Sequence, residues 1–198
     1  MGIFGFQPSV PWVPTRDEVA RKLVEILSPR PGDTVYDLGC GDGRIAVSIA
    51  KRHPQARVRC VEIRQDLVEK ARANAQENNA KVDIVKADFF SYNIGDADIV
   101  YMYLLTSVNQ KLRPKLEREL KPGTVVVTLD FPIPDWVEVA RVELPRSWQR
   151  TLYIYVVGYS DRRDGERSLE ALAKGLERIN IDALPEREKE HVKRLLSR

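Results

Sequence analysis

The chain has 198 residues, 43% hydrophobic and 31% charged, enough to bury one substantial core and too mixed for disorder or a membrane span. Its 32 basic and 29 acidic residues leave a net charge of +3, so no broad attraction for a nucleic-acid backbone exists and direct nucleic-acid binding is not expected. Two cysteines, Cys40 and Cys60, and two histidines, His53 and His191, are too few for a disulfide framework or a four-ligand zinc site; a cytoplasmic protein without a metal is expected.

Residues 1–14 hold three prolines and three aromatics without charge, which suits an extended arm laid over a surface. No positive charge precedes Arg16 and no long apolar run follows, so a secretory signal is not expected. Phe6 stands where a myristoylation signal wants Ser or Thr. Thr15-Arg16-Asp17-Glu18 has the form of a reciprocal N-terminal helix cap, followed by Val19, Leu23, Val24, Ile26 and Leu27 on one helical stripe that ends before Pro29.

From there strands and helices alternate. Strands are predicted at 34–38, 58–63, 82–86, 98–104 and 124–129. Helices are predicted at 45–51, 65 to about 79, and 108–120, the last ending at Pro122-Gly123. Such alternation implies an α/β fold, a Rossmann-like, doubly wound, mostly parallel sheet with right-handed crossovers. Segments 137–144 and 151–158 follow with no helical pattern between them, which fits an antiparallel hairpin at the sheet edge. The last segment, 161–198, is highly charged and carries two short helical patterns: Leu169, Leu172, Leu176 and Ile179, then Val192, Leu195 and Leu196 after Pro185. It is expected to be a helical extension, either packed on its own domain or offered to a partner. The expected organisation is therefore an arm at 1–14, a domain at 15–160 and the extension at 161–198.

The loop Asp37-Leu38-Gly39-Cys40-Gly41-Asp42-Gly43-Arg44 lies between the first strand and its helix, where glycine permits a tight turn and close approach of a ligand to the main chain. Arg44 replaces the third glycine of the dinucleotide fingerprint, and Asp42 would face any pyrophosphate at the helix start. Gly39, Gly41 and Gly43 beside two acids therefore favour a ligand without phosphates and with positive charge; a turn needed only for strand reversal is the alternative. Glu62 ends the second strand, nineteen residues after Gly43, where a carboxylate can accept ribose hydroxyls, and Ile63 beside it offers an apolar face for a base. Asp88 follows the third strand at a position suited to an adenine amino group. Each acid alone would pass for an ordinary loop residue. Together they fall at strand carboxyl ends, where ligands bind in open parallel sheets.

The Asp-x-Gly-x-Gly-x-Gly loop resembles that of the class I S-adenosylmethionine-dependent methyltransferases, and the resemblance covers about residues 10–158. Three further stretches narrow it: Val10-Pro11-Trp12-Val13-Pro14-Thr15, Leu104-Leu105-Thr106-x-Val108-Asn109, and residues 115–124. With the loop they look like the broad-specificity archaeal protein-lysine methyltransferases, whose eukaryotic relatives are mitochondrial lysine methyltransferases. The resemblance implies S-adenosyl-L-methionine as cofactor, with Glu62 on the ribose, Asp88 on the adenine amine, Phe89 in the adenine pocket and Asp37 near the methionine amino group. Trp12 to Thr15 would fold over it; Trp12 stands where tyrosine is expected in close relatives. Low Met and Cys counts beside many Lys, Arg and Glu point toward a heat-adapted, archaeal-like source.

Methyl transfer to an amine is an in-line displacement that mainly needs alignment, and partial burial helps a lysine lose its proton. No histidine base is required, and both histidines read as ordinary surface residues. The fourth strand runs into Tyr101-Met102-Tyr103-Leu104-Leu105-Thr106, without the Asn/Asp-Pro-Pro-aromatic motif of base or glutamine-amide methyltransferases. This mouth suits an alkyl-ammonium side chain, with Tyr101 or Tyr103 giving a π face, Thr106 or Asn109 a polar contact and Phe131 a wall; alternate strand residues serving only as core is the other reading. Protein substrates with exposed lysines follow, with small basic chromatin proteins suggested by the resemblance. The rivals are an RNA or small-molecule methyltransferase and a noncatalytic interaction protein. Nothing in the sequence sets the oligomeric state.

Overall fold

A computed structural model describes residues 12–144, 148–162 and 167–197; residues 1–11 of the expected arm, including Val10 and Pro11 of the motif, lie outside them. Helix α1 spans Asp17–Ile26. Then come β1 Thr34–Leu38, α2 Arg44–Arg52, β2 Arg57–Glu62, α3 Gln65–Glu77, β3 Val82–Lys86, β4 Ile99–Met102, α4 Thr106–Glu119, β5 Val125–Leu129, β6 Ala140–Glu143, β7 Thr151–Val156, α5 Leu169–Leu176 and α6 Glu186–Leu196. The seven strands form one sheet in the order β3-β2-β1-β4-β5-β7-β6. The first five in that order run parallel, while β7 is antiparallel to both β5 and β6. This is the predicted Rossmann-like sheet with its hairpin.

Strands β1, β4 and β5 are buried along their whole length because helices cover both faces, which explains their unbroken apolar reading in the sequence. Alternate residues serve opposite cores. Ile99 and Tyr101 of β4 join the face that receives Leu23 and Ile26 of α1 and Ile45 and Ile49 of α2. Val100 and Met102 join the face that receives Val108, Leu112 and Leu116 of α4.

The C-terminal extension is present as two helices, and both pack into the first of these cores through Leu172, Leu176, Val192 and Leu195. Arg178, just beyond α5, is 5% exposed. It donates to both carboxylate oxygens of Asp33, at 2.8 and 2.9 Å, and to Asp98 at 2.9 Å, fastening the extension to the amino ends of β1 and β4.

Three local expectations change. The reciprocal cap at Thr15 and Glu18 does not form: Arg16 occupies the cap position with no side-chain bond, and the Thr15 hydroxyl instead lies 3.4 Å from the Tyr101 hydroxyl. His53 is buried, not a surface residue, with Nε2 3.0 Å from the Val24 carbonyl oxygen, and burial pushes its pKa down. Cys40 and Cys60, too few for a framework, are joined in a disulfide that ties the glycine loop to β2.

Candidate active site

A cleft of about 300 Å³ opens at the carboxyl ends of the parallel strands, between β1 and β4 where the strand order reverses, the usual ligand position in an open α/β sheet. It brings together the residues expected for a nucleoside ligand: Trp12, Thr15, Asp37, Gly39, Gly41, Glu62, Ile63, Asp88 and Phe89 all line it, as do Tyr101 and Tyr103. Gly43 does not. It takes a left-handed φ of +74° at the start of α2, and a Cβ there would lie 2.9 Å from the Ala71 Cβ on α3, so this glycine serves helix packing. Gly41, with φ +56°, serves the cleft: a Cβ would meet the Trp12 indole, and glycine lets that ring lie against the loop.

Asp37 is 2% exposed, and its Oδ2 has no hydrogen-bond partner. Burial pushes its pKa up to about 8, opposed by the Ala46 amide and reinforced by the charges of Glu62 and Asp42. An unsatisfied buried carboxylate oxygen is costly unless a ligand supplies a donor. Asp42, expected to add to this negative field, is instead paired with Arg44, whose guanidinium reaches it at 2.6–3.1 Å. The same guanidinium donates to the Thr15 carbonyl at 3.1 Å, so the pair holds the arm.

Glu62 is 6% exposed. Its Oε2 accepts from the Gly41 amide at 3.0 Å and its Oε1 from the Ile63 and Arg64 amides, each at 2.9 Å. Three of about four acceptor positions of the carboxylate are thereby filled, which fixes its orientation and leaves Oε2 open toward one further donor. Asp88 is exposed, held by a 2.9 Å bond from the Phe90 amide to Oδ1. The Phe89 and Phe90 rings lie 4.9 Å apart, tilted by 40°, and with Ile63 they give this end of the cleft apolar walls.

At the other end, Tyr101 is fully buried and burial drives its pKa far up. Tyr103 is half-buried; burial raises its pKa, while a hydrogen bond to Gln149 works against the rise. Phe131 stacks on the Tyr103 ring at 6.0 Å and 24°. Thr106 and Asn109 do not line the cleft. Thr106 is exposed at the first turn of α4. Asn109 is buried and its Nδ2 donates to the Phe131 and Pro132 carbonyls at 2.9 and 3.3 Å, so it shapes the loop after β5 and makes no contact with the cleft.

The family model described as the ANTKMT methyltransferase domain matches residues 37–140. A "Protein-lysine N-methyltransferase" of Saccharolobus islandicus (strain REY15A) is 45% identical over 157 residues, covering 77% of this chain and 97% of that protein. The chain belongs to the ANTKMT methyltransferase family. It is thus a class I methyltransferase, as its sheet order also indicates. An "Adenine nucleotide translocase lysine N-methyltransferase" of Mus musculus is 33% identical over 135 residues, 67% of this chain and 58% of that protein, so the chain spans just over half of the mouse relative. The crystal structure of an "RNA methyltransferase from Salinibacter ruber in complex with S-Adenosyl-L-homocysteine" superposes with a TM-score of 0.68 at 42% identity, covering 72% of this chain and 92% of that one.

Leu104 and Val108 of the motif wall this methyltransferase domain's cleft, while Ile45, Arg64 and Leu67, which also line it, escaped the sequence pattern because their places on and beside α2 and α3 read as ordinary helix positions. Gln149 contacts the arm, with Oε1 accepting from the Arg16 amide at 2.7 Å and Nε2 donating to the Pro14 carbonyl at 3.2 Å. No sequence signal marks it, because its partners stand over 130 positions away.

Proposed function

We propose that this chain is an S-adenosyl-L-methionine-dependent protein-lysine N-methyltransferase. The observation that carries the reading is one cleft lined, in the order of the strands, by Asp88 after β3, Glu62 on β2, Asp37 on β1 and, directly beside Asp37, Tyr101 on β4 with Tyr103 following. The residues fit the cofactor. The unpartnered Asp37 oxygen would accept from its cationic amino group, the open position of Glu62 from a ribose hydroxyl, and Asp88 from the adenine amine between Ile63 and Phe89. When bound, S-adenosyl-L-methionine supplies an electrophilic methyl group on a sulfonium. The chain's own part is to hold the partners in line and to bury the incoming amine. Tyr101 and Tyr103, with pKa values raised by burial, stay neutral phenols; they offer π faces and hydroxyls to an alkyl-ammonium group and do not act as bases at neutral pH. The amine proton leaves to water once the lysine is partly desolvated.

A protein-lysine substrate is supported by the 45% identical relative and by the absence of Asn/Asp-Pro-Pro-aromatic after β4. Small basic chromatin proteins are the proposed targets, in the cytoplasm of a heat-adapted cell. One buried disulfide beside few other sulfur residues agrees with intracellular proteins of hyperthermophiles, which keep such bridges. RNA is the second reading, favoured by the description of the Salinibacter ruber structure. Incubation with methyl-labelled cofactor and either a small basic protein or structured RNA separates them. Label on lysines is expected; label on RNA alone would overturn the protein substrate.

A further inference from the structure

We infer that Gln149, in the connection between β6 and β7, is a positioning residue that latches the N-terminal arm over the cleft and so retains the cofactor; the inference rests on the cleft being the S-adenosyl-L-methionine site. The Gln149 side chain is completely buried. One planar amide both accepts from the Arg16 N–H and donates to the Pro14 carbonyl, clamping the backbone on either side of Thr15. Thr15 itself is held by Arg44 through its carbonyl and approaches Tyr101 through its hydroxyl. Pro14, Thr15 and Arg16 are therefore held from the β6–β7 connection, the start of α2 and strand β4.

The clamp has a rigid base. Asp130, at the carboxyl end of β5, accepts from the Arg150 and Thr151 amides at 2.7 and 3.0 Å, which pins the backbone just after Gln149 to the central sheet. Trp12, Val13, Pro14 and Thr15 wall the cleft, so an arm held down covers a ligand beneath them. Lifting it strips a buried amide of both partners, which makes the closed position the favoured one.

The test combines Gln149→Ala, Trp12→Ala and the double variant in the full-length chain. In Gln149→Ala without ligand, amide exchange at Arg16 should quicken at least about tenfold. Its dissociation constant and KM for S-adenosyl-L-methionine should rise about tenfold while kcat at saturating cofactor stays within about twofold. Trp12→Ala should weaken cofactor binding similarly, and adding Gln149→Ala to it should cost less than about twofold more, because both act through one arm. Unchanged Arg16 exchange overturns the latch, as does an equal, multiplicative loss in the double variant. Should Gln149→Ala not fold, Gln149→Glu, which keeps the acceptor for Arg16 and loses the donor to Pro14, must show intermediate retention; wild-type retention overturns the proposal. A wild-type chain that fails to bind S-adenosyl-L-methionine overturns the reading of the cleft, whereas Arg16 exchange tests the clamp independently of it.

Discussion

Asp37 sets the pH behaviour of the cleft, because it is the acid there whose carboxylate is both buried and short of a partner. The unfolded chain releases this proton near the ordinary value of 3.8, while the ligand-free fold keeps it up to about 8. Between those values the folded state binds more protons, so the ligand-free protein loses stability as pH rises across that window. A cationic amino group reverses the preference by stabilising the carboxylate. Cofactor affinity, measured by titration calorimetry in buffers of different ionisation heat, should climb as pH rises toward 8 with uptake of the released proton by buffer; Asp37→Asn should flatten that climb. The other two acids should rank by burial. Glu62→Ala removes a charged acceptor and strands the Gly41, Ile63 and Arg64 amides, for a loss of about 100-fold in cofactor affinity, near 3 kcal/mol. Asp88 is exposed and shares its field with water, so Asp88→Ala should cost no more than about tenfold. Equal losses would contradict the geometry.

Elements were legible wherever local periodicity and tertiary demand agree. The strand β3 and the start of α3 fall where the pattern puts them, since a half-buried edge strand and an amphipathic helix each declare themselves within a few residues. Long-range partners defeat the same reading. The Thr15 hydroxyl goes to Tyr101, 86 positions away, not to its own helix. Asp42 is paired with Arg44, and burial keeps Asp37 protonated up to about 8, so the negative field that the pattern credits to the two loop acids is not free in the ligand-free fold. The acids of the candidate site were legible because the fold puts strand ends at one rim; Gln149 and the true surroundings of Asn109 were not, because nothing local demands them. The disulfide belongs to this class. It closes a loop across a sequence separation of 20 between the glycine turn and β2, and on chain-entropy grounds removing it should cost about 3 kcal/mol. Chemical denaturation with and without reductant, and of the double variant Cys40→Ser with Cys60→Ser, should show that loss as a lower midpoint.

For the whole molecule, the sharp change in composition after residue 160 suggests a boundary that packing does not respect. Charged residues dominate 161–198 because two short helices are solvated on one side, yet the other side supplies Leu172, Leu176, Ile179, Leu184, Val192 and Leu195 to the same core as α1 and α2. Each buried side chain of this kind contributes roughly 1.5–3 kcal/mol relative to exposure, together comparable to the net stability of a domain. Arg178 adds a second constraint: its charge pairs with buried Asp33 and half-buried Asp98, and its removal leaves Asp33 a buried carboxylate without that counter-charge, supported by the Arg30 amide. An extension serving only to dock a partner would be dispensable for folding; one that completes the core would not. Arg178→Ala should therefore lower unfolding free energy by about 3 kcal/mol or more, read from urea titration by circular dichroism. The chain ended at residue 160 should lose its cooperative transition and expose apolar surface to dye binding, and a truncated chain that unfolded with wild-type cooperativity would assign the extension to partner recognition instead.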